Sequence, residues 1–319
     1  MNKKHISVLL EGHENIADEG VNLLKAKGYK VFFPKSAQHI LSDSDYYLSD
    51  ALLVRGAVID KNLIKNMKNL NVIARCGVGV DNIDTKAARE KGVPVCNVPE
   101  ANFISVAEHV LGLLVSLSHH IVNGDRYIRT GRFDVRHHYI GTDLSGKIIG
   151  IIGFGRIGQL VAEKCIYGFD MNVLVYDPYV KEIDMANVQK TETADEIFKK
   201  ADFITLHLPY TNELHHFINR NVLKKMKQTA YIINCARGGL IDEIALAEEI
   251  KKGNIGGAGL DVFQNEPPEE NHPLWDVENI IATPHMGAST NESLERMATG
   301  AAKEVIRVLE GDSPIHLVN

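Results

Sequence analysis

Short apolar runs rich in β-branched residues alternate with amphipathic stretches from one end of the chain to the other. The runs Ile6–Leu10, Lys30–Phe33, Ala51–Val54, Val72–Ala74 and Pro94–Cys96 predict one series of strands. A second series is predicted over Ile148–Ile152, Asn172–Tyr176, Phe203–Leu206, Tyr231–Asn234, Gly257–Val262 and Asn279–Ala282. Helical spacing fills the gaps, as in Ala17–Lys27, Ile157–Gly168 and Asp242–Lys252. Such alternation predicts parallel sheets with helices on both faces, and several runs are apolar throughout, as burial on both faces requires. The expected fold is therefore α/β, with two Rossmann-like, doubly wound parallel-sheet domains and a cleft between them. The long apolar helix Ser105–Ser118, approached through Pro99–Asn102, separates the two series. The last helix, about Asn291 to Leu309, would pack back on the first unit. One domain is then discontinuous, 1–101 with 287–319, and the other is 102–286.

Composition narrows the classes. A chain of 319 residues, 45% apolar and 24% charged, is an ordinary globular protein long enough for two cores. The net charge of −6 is spread in both signs, with no basic stripe for nucleic acid or an acidic membrane surface. No run approaches the roughly 20 apolar residues that span a bilayer, and Ile6–Leu10 is too brief for a signal core. The four cysteines, Cys76, Cys96, Cys165 and Cys235, form no CxxC pair. Reduced thiols in a cytoplasmic protein are expected. The histidine pairs His119-His120, His137-His138 and His215-His216 lack an HExxH-like arrangement, and no metal is expected.

The strongest local signal is an apolar strand running into Gly153-Phe154-Gly155-Arg156-Ile157-Gly158, with an amphipathic helix after it. In this GxGxxG pattern Gly153 permits the tight turn, Gly155 lets backbone approach a pyrophosphate, and Gly158 lets helix and strand pack closely. The helix N-terminus then offers free N–H groups and a positive dipole end to the phosphates. The next strand ends in Asp177, near the roughly 20-residue spacing at which a carboxylate meets the adenosine ribose hydroxyls. A carboxylate there repels a 2′-phosphate, so NAD is the expected cofactor rather than NADP.

Four further segments are more specific: Arg75-Cys76-Gly77-Val78-Gly79-Val80-Asp81-Asn82, Asn234-Cys235-Ala236-Arg237-Gly238-Gly239, Asp261-Val262-Phe263-Gln264-Asn265-Glu266-Pro267 and Thr283-Pro284-His285-Met286-Gly287-Ala288. On these the chain resembles the D-isomer-specific 2-hydroxyacid dehydrogenase family, nearest the short 3-phosphoglycerate dehydrogenase-like branch. The resemblance implies an NAD-dependent oxidoreductase acting on the CH-OH group of donors, with the active site in the cleft. It makes 102–286 the NAD-binding domain and 1–101 with 287–319 the substrate-binding (catalytic) domain. The family's catalytic Arg, Glu and His fall on Arg237, Glu266 and His285. Singly, each residue type has an ordinary structural use; together they suit a 2-keto acid. Arg237 can grip the carboxylate through two parallel bonds. His285 can give the carbonyl oxygen its proton, and Glu266 can orient the ring and favour its charged form.

By the same resemblance Gly153, Gly155, Arg156, Ile157, Gly158, Asp177 and Pro178 contact the dinucleotide. So do His207, Leu208, Pro209, Cys235, Ala236, Arg237, Asp261, His285, Gly287 and Val78, with Asp261 near the carboxamide. Arg55, Gly56, Arg75, Cys76, Gly77, Val78 and Arg237 are the expected substrate contacts. Arg55 and Arg75, with the cluster Arg132, Arg136, His137 and His138, suit a phosphate or second carboxylate. That leaves open 3-phosphoglycerate/3-phosphohydroxypyruvate on one side and hydroxypyruvate or glyoxylate reduction on the other. A different class, the C-terminal binding protein co-repressors, shares the fold, the NAD site and a triad of this type. A homodimer through Ser105–Ser118 and the segment to Ile140 is expected, with hinges near Pro99–Asn102 and Met286–Thr290. The chain stops at Asn319, just after the last helix, so the regulatory domain of longer phosphoglycerate dehydrogenases, and with it feedback by serine, is not expected.

Overall fold

A computed structural model of the chain describes residues 4–9 and 16–319. It divides into two compact units, Met1–Phe103 with Ala288–Asn319, and Ile104–Gly287.

The first unit is built on β1 (His5–Leu9), β2 (Lys30–Phe32), β3 (Ala51–Val54), β4 (Val72–Arg75) and β5 (Val95–Cys96). Their order is β2-β1-β3-β4-β5, every pair parallel, with Ile6 opposite Ala51 and Ala51 opposite Val72. Leu10, the expected end of the first strand, lies outside the described residues. β3 is buried at all four positions, which explains its unbroken apolar sequence. The last helix, Asn291–Leu309, buries Met297, Ala301, Ala302 and Val305 against Ile6, Leu53 and Ala74. It meets the helix Asp18–Ala26 so closely that a Cβ on Gly20 would lie 2.6 Å from the Ala298 carbonyl carbon. Thr290 caps it, its hydroxyl accepting from Ser293 N at 3.2 Å.

The second unit contains β6 (Ile148–Ile152), β7 (Asn172–Tyr176), β8 (Val188–Lys190), β9 (Phe203–Leu206), β10 (Tyr231–Asn234), β11 (Gly257–Leu260) and β12 (Ile280–Ala282). The order is β12-β11-β10-β9-β6-β7-β8, again all parallel. Sequence direction across the sheet reverses between β6 and β9, the switch point beside which open α/β sheets bind ligands. β8 is absent from the sequence reading: it is a three-residue edge strand, Val-Gln-Lys, too short and polar to show a period. β11 stops at Leu260, two residues short of expectation, because Asp261 turns its carboxylate into the next loop.

The helix Phe103–Ser118 lies on this second sheet. Val106, Ala107, Val110, Leu113, Leu114 and Leu117 are buried, and a Cβ on Gly259 of β11 would sit 3.2 Å from both Leu113 and Leu117. Its apolar sequence is thus largely accounted for by its own unit's core. No single helix among the described residues is long and apolar enough to cross a membrane.

Candidate active site

The residues singled out by sequence in the second unit gather at the carboxyl ends of its strands. β6 leads into Gly153, whose φ of +94° suits glycine, and a Cβ there would lie 2.6 Å from His207 O. The turn therefore packs directly on the end of β9. Gly155 has nothing within 4 Å of where a Cβ would be, so its face of the helix entrance is open. Asp177, after β7, accepts from Phe154 N at 2.8 Å through Oδ2 and from Tyr179 N at 2.8 Å through Oδ1. The carboxylate thus braces the glycine turn as well as standing beside it. Arg156 and Ile157 open the helix Arg156–Phe169 and Pro178 is exposed. An open turn, a helix N-terminus without a side-chain cap and an adjacent carboxylate fit the pyrophosphate and ribose of a dinucleotide.

After β10, the buried Asn234 side chain organises the loop. Its Oδ1 accepts from Ala236 N at 3.0 Å and its Nδ2 donates to Arg237 O at 2.9 Å. Arg237 Nη1 donates to Ala236 O at 2.7 Å. The next residue explains the Arg-Gly-Gly sequence: a Cβ on Gly238 would fall 1.9 Å from the carbonyl carbon of Phe263. Only glycine lets the Arg237 loop touch the loop that carries Glu266. That second loop is itself tied down, since Gln264 N donates to Glu243 Oε1 at 2.7 Å and Phe263 N to Glu266 Oε1 at 3.0 Å. Glu243 is buried and its other oxygen meets His272 Nε2 at 3.0 Å. Burial pushes its carboxyl above the usual range despite these partners.

His285 Nδ1 and Glu266 Oε2 are 2.6 Å apart. Burial pushes the Glu266 carboxyl up, but the bonds from His285 and Phe263 N outweigh it and hold Glu266 below its usual range. It is a carboxylate at neutral pH. With Nδ1 engaged, Nε2 is the nitrogen left to act on a ligand, and the side chain is 54% exposed, so it can be reached. His285 has a φ of +48°, a conformation rare for a residue with a side chain.

Asp261 holds that conformation. Its Oδ1 accepts from Thr283 Oγ1 at 2.6 Å and Met286 N at 2.9 Å, and its Oδ2 accepts from Gly287 N at 2.8 Å. His285 N donates to Asp261 O at 2.8 Å. Burial would raise the Asp261 carboxyl; bonds from His109, Thr283 and the two amides prevail and keep it ionised. Cys235 Sγ, His109 and Asp261 lie within 4.8 Å of one another. The carboxylate's inward bonds make this a brace for the loop. Burial, with Asp261 adding, drives the Cys235 thiol well above its ordinary pKa.

His207, Leu208 and Pro209 follow β9. His207 Nε2 is 3.1 Å from Thr205 Oγ1, and burial pushes the imidazole down to about 3, so it is neutral.

Apart from Arg237, the expected substrate contacts belong to the first unit. Arg55 and Arg75 lie at the ends of β3 and β4, and Asn82 Nδ2 donates to Arg55 O at 3.1 Å and Ala57 O at 2.8 Å. Gly56 follows in the same half-buried turn. The Arg75 guanidinium turns back onto Cys76 O. Cys76 is buried in the unit's core, so its side chain is packing, and its backbone N donates to Val54 O at 2.7 Å. Gly77 O accepts from Val98 N at 2.9 Å, Val78 O accepts from Asn97 Nδ2 at 2.8 Å, and the Val78 side chain is exposed. Arg132 pairs locally with Asp134 and lies over the Tyr127 ring, while Arg136 covers Phe133.

The D-isomer specific 2-hydroxyacid dehydrogenase family, NAD binding domain, matches residues 111–287. The chain belongs to this family. It is 45% identical to the D-3-phosphoglycerate dehydrogenase of Methanocaldococcus jannaschii over 85% of this chain and 52% of that one. It is 42% identical to the hydroxypyruvate reductase of Thermotoga maritima over 82% of this chain and 85% of that one. Among solved structures it resembles the TT0316 protein of Thermus thermophilus, with a TM-score of 0.89 and 32% identity, covering 99% and 100% of the two chains. The chain spans about half the length of the phosphoglycerate dehydrogenases it matches.

Sequence reading quoted Asn234 and Thr283 within its motifs but gave them no role, and it missed Glu243, His272 and His109, whose partners lie far off in the chain.

The geometry can be probed at two points. Gly238→Ala forces the Arg237 and Glu266 loops apart, and turnover should fall by about a hundredfold with secondary structure retained by circular dichroism. His207 binds its proton near 3 when folded and near 6.5 when unfolded. Its stability contribution is complete above 6.5 and is lost as pH falls from there toward 3, by about 1.4 kcal/mol per pH unit. Urea titrations at pH 7.5 and 5 should show a smaller loss in His207→Gln than in the parent.

Proposed function

We propose that this chain is an NAD-dependent D-2-hydroxyacid dehydrogenase, interconverting a small 2-keto acid and its D-2-hydroxy acid. The observation that carries the reading is the His285–Glu266 contact, held at the ends of β11 and β12 beside the Arg237 loop. NAD, when bound, supplies or accepts the hydride at C2. Gly153, Gly155, Arg156, Ile157 and Gly158 would hold its pyrophosphate and Asp177 its ribose.

Arg237 binds the substrate carboxylate with charge-assisted bonds and so fixes C2. His285 Nε2 delivers a proton to the carbonyl oxygen as negative charge grows there, and takes it back in oxidation. Glu266 holds the ring by Nδ1 and stabilises its charged form. Arg55, Gly56, Arg75, Gly77 and Val78 are proposed to select the substrate, the two arginines favouring a phosphate or second carboxylate. The relatives support both 3-phosphohydroxypyruvate and hydroxypyruvate as substrates, and neither kind of relative points to the co-repressor reading. A homodimer and a cytoplasmic location belong to the same proposal.

The test is loss of NADH absorbance with 3-phosphohydroxypyruvate, hydroxypyruvate, glyoxylate, pyruvate and 2-ketoglutarate. A large kcat/KM preference for the phosphorylated acid supports the basic loops; preference for hydroxypyruvate makes the chain a reductase of that acid. His285→Ala should lower kcat by about a thousandfold while NADH binding, read by fluorescence, persists. Turnover on none of these acids, with NADH bound, overturns the proposal. Separately, Asp177→Ala should erode the preference for NAD over NADP by at least about tenfold; unchanged selectivity removes that role.

A further inference from the structure

The turn Thr283–Gly287 presents His285 in a left-handed conformation that a side chain disfavours. Such strain persists only where neighbours over-determine it. Asp261 supplies three of the constraints, through its bonds to Thr283, Met286 and Gly287. A further one comes from the middle of the helix Phe103–Ser118, where His109 Nε2 reaches Thr283 Oγ1 at 3.0 Å and Asp261 Oδ1 at 3.4 Å.

The hydrogens in this cluster follow from the distances. Thr283 Oγ1 and Asp261 Oδ1 are 2.6 Å apart, and an ionised carboxylate only accepts, so the hydroxyl hydrogen lies between them. Oγ1 then has only lone pairs to turn toward His109. His109 Nε2 must therefore carry a hydrogen and donate it. A chain of two bonds results, from His109 Nε2–H to Thr283 Oγ1, and from Thr283 Oγ1–H to Asp261. The Cys235 thiol nearby remains protonated and adds no competing charge.

We propose that His109 is a positioning residue of the active site: its Nε2–H orients Thr283, and through it Asp261, so that the turn bearing His285 keeps its shape. This rests on the reading of His285 as the acid–base group. His109 acts on that turn through its contacts with Asp261 and Thr283. The helix under it is anchored by Val106, Val110 and Leu113, which makes it a rigid point from which to hold a loop.

Three variants of the full chain test this: His109→Phe, which keeps a ring without the donor; His109→Gln, which restores an N–H near Nε2; and Thr283→Val, which cuts the relay. His109→Phe and Thr283→Val should lower kcat for keto-acid reduction about tenfold to a hundredfold, with KM for NADH within about twofold. Amide exchange at Met286 and Gly287 should quicken about tenfold in both while amides of β6 and β9 stay protected. His109→Gln should recover most of both losses. Unchanged kcat and unchanged exchange in His109→Phe overturn the proposal, as does a loss that His109→Gln fails to restore. Nitrogen-15 shifts of the parent protein give a check that needs no variant, and a His109 ring lacking a hydrogen on Nε2 overturns it too. Should the parent turn over no keto acid, quickened exchange at Met286 and Gly287 would still support the positioning role while the proposed function falls.

Discussion

The turn that carries His285 hangs on a buried carboxylate that has nowhere else to put its charge. Asp261 is 2% exposed, and a carboxylate so placed is tolerable only if its lone pairs are filled. A lone hydroxyl in its place could not gather a second hydroxyl and two successive amides; the ionised group can, and in doing so it bends the chain after β12. The turn that results is a consequence of charge compensation more than of local preference, since histidine enters the left-handed region more readily than most side chains but only where neighbours hold it there. The same device appears at Asp177, which closes the glycine turn, and at Glu243, which closes the loop before Glu266. Three carboxylates each shape a neighbouring loop by accepting backbone hydrogens.

Loops so shaped must also approach one another, and here the absence of a side chain matters. Backbone meets backbone at Gly238 and Phe263 and again at Gly153 and His207. These contacts join the loop after β6 to the loop after β9, and the loop after β10 to the loop after β11, so each pair is packed backbone to backbone. Preorganisation of this kind removes motions that would otherwise have to be frozen when a ligand binds.

Much of this was legible in the sequence, for reasons that differ by level. The strands of both sheets declared themselves because burial on both faces leaves uninterrupted apolar runs such as Ala51–Val54 and Ile148–Ile152. Edge strand β8 did not, because one exposed flank removes that pressure. The glycine turn and the Arg, Glu and His segments were legible because chemistry fixes residue type at short spacing. Cys76 stands inside a telling motif, and its side chain belongs to the core. The roles of Asn234 and Thr283, both inside quoted motifs, and the whole of His109 were invisible for the opposite reason. Their importance lies in which groups face them in space, and a single asparagine or histidine carries no sign of that.

The discontinuity of the first unit has a bearing on its birth at the ribosome. Its sheet is encoded near the start of the chain, but the helix Asn291–Leu309 that covers Ile6, Leu53 and Ala74 is made much later. Between them the whole of Ile104–Gly287 is synthesised, a unit with its own complete sheet and cores. The later-encoded unit can therefore close first, while the earlier one waits with an apolar face uncovered. That interval is when the nascent chain most needs shielding from its neighbours, and it ends only when the covering helix emerges.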